Sequence, residues 1–164
     1  AVKILSANKI GALLVIERNM GLNDISATGI QIDGLITSDF LMNVFIPNTP
    51  LHDGAVVIRG NTIVSATCYL PLSESMRISK DLGTRHRAAI GVSEATDAVT
   101  IVVSEETGRV SVARSGQLRV MQTPEELRAL LLSLSDAEVP TKHFMFNGWD
   151  FLKGKEKHER ENTQ

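Results

Sequence analysis

Apolar runs and alternating segments typical of strands are mixed along this chain with segments expected to be helical. This succession predicts a layered α/β fold. Residues 9–17 are mostly apolar at successive positions, which is typical of a central strand that helices cover on both faces. Residues 29–34 alternate apolar and polar side chains, as a half-exposed strand does. Helices are expected at residues 1–8 and from an N-cap at Ser38 through Val44.

Two pairs of apolar runs, each pair separated by a short turn, predict two antiparallel hairpins. The first turn is Gly60-Asn61, a dipeptide that favours a primed two-residue turn, and the second is the polar loop 105–108. Hairpins mixed with helices predict a mixed, largely antiparallel central sheet flanked by helices in a single globular α/β domain. The four predicted strands are residues 55–59, 62–70, 99–104 and 109–114.

Two further helices and one connection complete the pattern. Thr84 is expected to cap a helix over residues 85–92. Thr123 and Pro124 open an amphipathic segment that is expected to be helical to about Leu134. Residues 21–27 are expected to form a polar connection, and the charged residues 153–164 a frayed, disordered tail after a domain of residues 1–152.

Composition narrows the function classes. With 164 residues and 43% hydrophobic content, the chain is long enough for one sizeable core. A net charge of -2 argues against a general nucleic-acid binder, so any anion site must be local. The single cysteine, Cys68, is expected to be a small buried residue in a reducing, cytoplasmic setting.

Two short segments carry the chemistry. Asp53-Gly54-Ala55 places a carboxylate beside a glycine, and Thr84-Arg85-His86-Arg87 packs a hydroxyl, two guanidiniums and an imidazole together. Guanidiniums bind phosphate oxygens, glycine lets the backbone approach closely, and a carboxylate can hold a divalent ion or accept a proton. A nucleotide site is the first interpretation. The alternative for Asp53-Gly54 is a simple corner before a strand, but an unpaired carboxylate beside a buried strand would be costly without a ligand.

The basic residues at positions 85 and 87 also need explanation, because the N-terminal end of a helix dipole favours anions. A bound phosphate would receive the free N–H groups of the first turn, the Thr84 hydroxyl and a guanidinium together. Residues 85 and 87 lie about 200° apart around a helix, so the two arginines are expected to do different jobs. One is expected to reach the phosphates, and the other to orient a carboxylate, a second nucleotide or a neighbouring subunit.

Two further pairs of residues have two open interpretations each. Glu105 and Glu106 are by default a solvated turn, although their oxygens suit a hard cation. Tyr69 and Leu70 could equally belong to the core or form a platform for adenine.

LHDGAVVIRG followed by LGTRHRAAIGVSEATDAVTIVVSEETGRVSVA closely resembles the diadenylate cyclase domain family, with its DGA and RHR motifs. The likeness covers about residues 10–119, and it is greatest to the membrane-anchored CdaA or DacA type. This resemblance implies that residues 1–152 form a catalytic domain that condenses two ATP molecules into cyclic di-AMP and two pyrophosphates. It implies a divalent metal, namely Mn²⁺, Mg²⁺ or Co²⁺, and a homodimer that places two ATP-loaded domains face to face.

The resemblance also assigns residues. It implies that the DGA residues Asp53, Gly54 and Ala55 lie beside the ribose and α-phosphate, and that Arg85, His86 and Arg87, with Thr84 adjoining, bind the polyphosphate. It further places Tyr69 and Leu70 at the adenine and Ser104 and Glu105 along the nucleotide, and it implies that the metal candidates are His52, Asp53 and Glu106.

The resemblance implies partners and a location as well. A YbbR-domain regulator and phosphoglucosamine mutase associate with the membrane-anchored members of this family. The chain begins at Ala1, and the resemblance implies that an N-terminal membrane anchor precedes it, with this domain on the cytoplasmic side of the bacterial membrane. The alternative is a regulatory module that binds ATP or a cyclic nucleotide without chemistry, which intact DGA and RHR motifs disfavour.

Overall fold

The structure, a computed structural model, describes residues 1–75, 78–79 and 82–136. The chain divides into two compact units, residues 1–128 and 129–164, and the sheet and the candidate site lie in the first. The predicted end of the domain at residue 152 and the predicted tail lie outside the described residues. The elements in chain order are α1 (Val2–Ala7), β1 (Ala12–Ile16), α2 (Asn23–Ser26), β2 (Ile30–Leu35), α3 (Ser38–Val44), β3 (Ala55–Arg59), β4 (Thr62–Cys68), α4 (Thr84–Ala95), β5 (Val99–Val103), β6 (Val110–Arg114), β7 (Gln117–Met121) and α5 (Pro124–Asp136).

The seven described strands form one sheet in the order β2-β4-β3-β1-β5-β6-β7. β1 and β3 are parallel, and the other described strand pairs are antiparallel. The predicted mixed, largely antiparallel sheet is therefore confirmed. β1 and β5 lie in the middle of the sheet and are buried along nearly their whole length, which explains their continuous apolar sequence.

The first predicted hairpin is confirmed. Arg59 pairs with Thr62 across the Gly60-Asn61 turn. Of the two turn residues, Gly60 alone has a left-handed backbone, with φ 58°, as a primed turn with glycine at its first position needs. β4 ends at Cys68 rather than at the predicted residue 70, so Tyr69 and Leu70 leave the sheet as a loop.

Two predicted helix caps are wrong by one residue. Thr37, not Ser38, caps α3, because its extended backbone lets Oγ1 accept a hydrogen bond from Phe40 N at 3.1 Å. The N-cap of α4 is Gly83, and Thr84 is the first helical residue. α4 also continues to Ala95, past the predicted end at residue 92, and Ser93 in this added stretch is buried.

Two elements were missed in the sequence. A single turn of helix, α2, occupies the segment predicted as a polar connection. β7 has a mostly exposed residue pattern without clear alternation, because it is the last described strand at its side of the sheet and only Met121 is buried. An exposed edge strand leaves little hydrophobic periodicity to detect.

α4 packs across one face of the sheet and supplies much of the core on that side. Its buried positions are mostly small, including Ala88, Ala89 and Gly91, and they contact strands β5, β6 and β1. Small side chains allow the helix to lie close to the sheet, so the first turn of α4 is held firmly beside the ends of the central strands. Cys68 is buried in the same cluster, as predicted.

Candidate active site

The first turn of α4 combines the positive end of a helix dipole with the basic residues of the RHR motif. Its N-cap, Gly83, has an extended backbone and no side chain with which to cap the turn, and no acidic residue lies in the first helical turn. The first N–H groups of a helix have no acceptor within the helix, so they are available to an anion. The two arginines of the RHR motif add positive charge at this end, and Glu105 offsets part of it through its ion pair with Arg85.

A cavity of about 650 Å³ opens between this turn and the corner before β3. It brings together six of the predicted nucleotide residues, which come from three separate segments of the sequence. A cavity of this volume lies within the range of small-molecule sites. The six residues are Asp53, Gly54, Tyr69, Leu70, Thr84 and Arg85.

A second, smaller cavity of about 90 Å³ adjoins the first. Thr84 and Arg85 line both cavities, so the two meet at the first turn of α4. The small cavity brings the remaining acidic and hydroxyl candidates next to the RHR motif, namely Ser104, Glu105 and Glu106 beside His86.

The two arginines of the motif differ in their surroundings. Arg85 donates from Nη1 to Glu105 Oε2 at 2.7 Å and faces both cavities. Arg87 is half-buried and is not among the described residues that line either cavity, and its backbone oxygen accepts a hydrogen bond from Ser73 N at 3.0 Å. The two side chains therefore lie in different surroundings, as helical geometry requires, while their separate roles stay a prediction.

The glycine of the DGA motif has a structural reason. Gly54 has φ 95°, and a Cβ at this position would lie 2.7 Å from the carbonyl carbon of Thr67 on β4. Thr67 itself has a left-handed backbone, φ 58°, where the β3–β4 pairing is irregular. Only glycine fits both the conformation and the close approach. The motif is thus a strand corner, and at the same time it lines the large cavity.

Asp53 is exposed, which corrects one argument from the sequence. Burial does not penalise its carboxylate, because the residue precedes the buried strand and projects at the cavity edge. Its position in the large cavity, rather than a desolvation cost, is what makes it a functional candidate. Ala55, the next residue of the motif, is fully buried and pairs with Cys68 in the sheet.

His52 has a defined hydrogen-bond partner. Its Nδ1 lies 2.6 Å from the carbonyl oxygen of Thr49. A carbonyl oxygen only accepts, so Nδ1 carries the proton and the lone pair of the neutral ring is on Nε2. Metal-ligating histidines commonly show this arrangement, in which a carbonyl fixes the tautomer.

His86 is the buried member of the RHR motif, with 9% of its surface exposed. Burial lowers the pKa of its imidazole, and the negative charge of Glu106 opposes that shift only in part. A neutral imidazole at the wall of the small cavity can donate or accept one hydrogen bond per nitrogen. It adds no positive charge to that of Arg85.

Sequence reasoning proposed Tyr69 and Leu70 as a platform for adenine but missed the rest of the apolar wall of the large cavity. Ile30, Leu72 and Tyr69 are unusually exposed for their residue types, at 48%, 51% and 78%. Tyr69 therefore does not belong to the core, whereas Leu70 packs against it and also lines the cavity. Exposed apolar side chains around a cleft favour a flat apolar ligand, but no motif marks them in the sequence. The other missed lining residues are Leu13, Pro50, Thr67, Cys68 and Ala88.

Within the described part of the chain, no three or more His, Cys, Asp or Glu side chains form a group that could hold a metal ion. Magnesium-type ions at nucleotide sites are commonly bound by one or two carboxylates, with substrate phosphates and water completing the coordination. Asp53 lines the large cavity, Glu106 lines the small one, and His52 is not among the described residues that line either, so the structure does not bring the three predicted metal candidates together. A single carboxylate with substrate phosphates would still fit such a partial ligand set. The described helices include none that is both long and apolar enough to cross a bilayer.

An apolar cleft that ends at the cationic first turn of a helix is the arrangement of a nucleotide-binding α/β domain. Residues 1–118 match the family described as "DisA bacterial checkpoint controller nucleotide-binding", and the chain belongs to this family. It is 56% identical over 131 residues to a Bacillus subtilis protein named "Cyclic di-AMP synthase CdaA", covering 80% of this chain and 48% of that one. The chain spans about half the length of the curated relatives it matches first.

Two solved structures share the fold. The crystal structure of DacA from Staphylococcus aureus, an N166C/T172C double mutant, matches with a TM-score of 0.79 and 52% identity, over 80% of this chain and 88% of that chain. A structure from Bacillus cereus described as a hypothetical membrane spanning protein matches with a TM-score of 0.73 and 49% identity, over 74% and 60% of the respective chains.

Proposed function

We propose that this chain is a diadenylate cyclase domain that condenses two ATP molecules into cyclic di-AMP and releases two pyrophosphates. The observation that carries the proposal is the meeting of the Asp53-Gly54 corner, the Tyr69-Leu70 loop and the cationic first turn of α4 on one cavity. The names of the relatives supply the reaction, since the Bacillus subtilis relative is called a cyclic di-AMP synthase.

The proposed site binds ATP along the two adjoining cavities. The apolar wall at Tyr69 and Leu70 receives adenine, while Arg85, Thr84 and the N–H groups of the first turn of α4 receive the phosphates. Ser104 and Glu105 line the nucleotide from the β5–β6 loop. His86 is neutral in this scheme, so it contributes a hydrogen bond rather than a charge.

The reaction needs alignment and charge neutralisation rather than a covalent intermediate. The ribose 3′-oxygen of one ATP forms a bond to the α-phosphorus of the other, the bond from that phosphorus to the bridging oxygen breaks, and pyrophosphate leaves with the bonding pair. The hydroxyl proton passes to a base, for which Asp53 is a candidate. The same exchange in the opposite sense closes the ring.

A divalent ion, Mn²⁺, Mg²⁺ or Co²⁺, would neutralise phosphate charge when bound. His52, Asp53 and Glu106 are its candidate protein ligands. Because these three do not form one group in the described residues, one or two of them would hold the ion, and the phosphates would complete the set. Asp53 is thus proposed either as ligand or as base. Two copies of the domain are proposed to face each other, because the product has two-fold symmetry and each ATP attacks the other.

The test is incubation of the 164-residue chain with ATP and Mn²⁺. Samples are taken as ATP is consumed, and cyclic di-AMP and pyrophosphate are measured separately in each sample. One cyclic dinucleotide and two pyrophosphates per two ATP are expected. Asp53→Asn is expected to lower turnover by roughly 10²- to 10⁴-fold. ATP binding without either product would instead support a regulatory nucleotide-binding module.

Location and partners follow only from family resemblance. The Bacillus cereus match is described as membrane spanning, which supports an anchored parent protein. The cytoplasmic side for this domain is proposed from the family resemblance alone. A YbbR-domain regulator and phosphoglucosamine mutase are the proposed partners. Co-purification of each with the full-length protein, compared with this domain alone, would test both proposals.

A further inference from the structure

The end of α1 and its connection to β1, residues 6–11, contact the proposed site at two places, although none of these residues belongs to the motifs. Ser6 lies at one end of the segment and contacts the loop that carries Glu105 and Glu106. Gly11 lies at the other end and contacts the ion pair of Arg85 with Glu105. The segment therefore contacts both the loop that carries Glu105 and Glu106 and the Arg85–Glu105 ion pair at the junction of the two cavities.

The contact at Ser6 fastens the far end of the β5–β6 loop to α1. Ser6 Oγ donates to the carbonyl oxygen of Gly108 at 2.6 Å. Gly108 N in turn donates to Ser104 O at 2.9 Å, and Thr107 N donates to Ser104 Oγ at 3.2 Å. The loop is thus closed on itself, and Ser6 ties the closed loop to α1.

The approach at Ser6 also requires a glycine at position 108. Gly108 has φ 73°, and a Cβ there would lie 2.5 Å from the backbone oxygen of Ser6. The loop and the end of α1 therefore lie in direct backbone contact. A shift of one displaces the other, because packed backbones do not deform freely.

The contact at Gly11 lies directly beneath the ion pair. A Cβ at position 11 would lie 2.9 Å from Arg85 Nη1, 3.0 Å from Arg85 Cζ and 3.0 Å from Glu105 Oε2. The 2.7 Å hydrogen bond between Nη1 and Oε2 therefore spans the face of Gly11 that a side chain would occupy. The threatened atoms are the ends of two flexible side chains, so a methyl group at position 11 would move the pair while the backbone stays in place.

We propose that Gly11 and Ser6 are positioning residues for the proposed nucleotide site. Gly11 leaves room for the guanidinium of Arg85 to lie against Glu105 and face both cavities. Ser6 fixes the loop from which Glu105 and Glu106 project. The inference rests on the proposed function for its substrate, ATP, and it assigns to an undistinguished connection a direct influence on nucleotide affinity.

The test uses Gly11→Ala with Gly21→Ala as its matched control, because a Cβ at position 21 meets nothing within 4 Å. For Gly11→Ala, the dissociation constant of a non-hydrolysable ATP analogue and the KM for ATP are expected to rise roughly tenfold, as for loss of one charged hydrogen bond. The control is expected to match the wild-type chain. Thermal unfolding of both variants is expected to stay close to wild type, because only side-chain ends move.

A double-mutant cycle separates positioning from a general disturbance. In a Glu105→Ala background the pair is already broken, so adding Gly11→Ala is expected to cost much less than it costs alone. Equal, additive losses would show that Gly11 does not act through the pair and would overturn that half of the proposal.

Ser6 gives an independent arm that does not depend on the tolerance of position 11. Ser6→Ala is expected to weaken analogue binding several-fold, and Ser6→Thr, which keeps the hydroxyl, is expected to restore it. Asn8→Ala is the control, because Asn8 Nδ2 donates within the same helix, to Ile4 O, and not to the loop.

The outcomes distinguish this inference from the proposed function. If the wild-type chain binds the analogue but makes no cyclic di-AMP, the proposed function fails, and the affinities of the variants still decide the inference. If the wild-type chain is active while Gly11→Ala and Ser6→Ala bind the analogue like their controls, the inference alone is overturned. A wild-type chain that binds no nucleotide overturns both.

Discussion

Arg85 and Arg87 are two residues apart and lie in different environments. Arg85 donates a hydrogen bond to Glu105 at the junction of the two cavities. The backbone oxygen of Arg87 instead accepts a hydrogen bond from Ser73 N, in the loop after β4. One guanidinium is therefore available to phosphate within the same chain. The other is a candidate for orienting a group of a second nucleotide or a neighbouring subunit.

Alanine substitutions at these two positions are expected to cause different defects. Arg85→Ala removes a charged hydrogen-bond donor to phosphate and should weaken ATP binding by roughly 10- to 100-fold. Arg87→Ala should lower kcat more than affinity. Steady-state kinetics together with analogue titration will separate the two effects, with Arg114→Ala as a control for loss of one exposed positive charge at the end of β6. Identical losses in binding and turnover would contradict the division of roles.

His86 makes the stability of the nucleotide-free domain depend on pH. Burial lowers the pKa of its imidazole in the folded chain, against a partial opposing effect of Glu106. The unfolded chain therefore binds more protons as the pH falls below the ordinary imidazole pKa of about 6.5, and the free energy of unfolding decreases down to the lower, folded pKa.

The measurement is urea unfolding of the wild-type chain and of His86→Gln at pH values on both sides of 6.5. The variant is expected to lose less stability than the wild type on acidification, because it has no imidazole to protonate. An equal loss in both proteins would mean that His86 does not contribute to the pH dependence.

At the level of elements, α4 contributes to the site in two ways. Its first turn presents the RHR residues, and its middle receives the loop that follows β4. Ser73 N donates to Arg87 O at 3.0 Å, and Ser73 Oγ donates to Glu94 Oε1 at 2.8 Å. The loop therefore holds Leu70 and Leu72 at the cavity wall because it is bonded to α4.

Gly91 makes this docking possible. A Cβ at position 91 would collide with Pro71 O and would lie 2.8 Å from Ser73 N. Gly91→Ala is thus expected to destabilise the fold by about 1–3 kcal/mol, the cost of overpacking, although alanine is the better helix former. Urea unfolding will measure the loss, and Gly21→Ala is the control. A stabilised Gly91→Ala variant would contradict the close approach.

Most elements could be predicted from the sequence where local chemistry decides them. The Gly60-Asn61 turn and the apolar run of β1 are fixed by short-range preferences and burial, and both are confirmed. β7 was missed because an exposed edge strand has no strong hydrophobic period. β4 was predicted too long because the apolar side chains of Tyr69 and Leu70 were assigned to the strand, whereas they line the cavity.

The candidate site was predictable in composition but not in assembly. Asp53, Thr84 and Arg85 were proposed from residue chemistry and resemblance, and the structure places them around one cavity. Their approach depends on long-range backbone contacts, such as Gly54 against Thr67, that no local pattern encodes. The proposed contributions of Ser6 and Gly11 also depend on long-range contacts, with Gly108 and with the Arg85–Glu105 pair respectively, so no local sequence pattern indicates them.

For the whole molecule, one copy contains one proposed nucleotide site, whereas the proposed reaction joins two nucleotides. A single copy should therefore bind ATP without converting it. Specific activity is expected to rise with enzyme concentration in the dilute range, where association of two copies limits the rate. Initial rates over a dilution series will test this, alongside light scattering at the same concentrations. Constant specific activity throughout would contradict a requirement for two copies.

The chain carries a single thiol, Cys68, in the wall of the large cavity, with 1% of its surface exposed. Burial raises its pKa, and the neighbouring Ser65 hydroxyl opposes this only in part, so little reactive thiolate forms at neutral pH. Alkylation by iodoacetamide can therefore proceed only when the wall opens, and its rate, followed by mass spectrometry, reports that opening. ATP analogue should slow the labelling further. Labelling as fast as that of a free thiol would show that the wall stays open. Cys68 is therefore a native chemical probe for transient opening of the cavity wall.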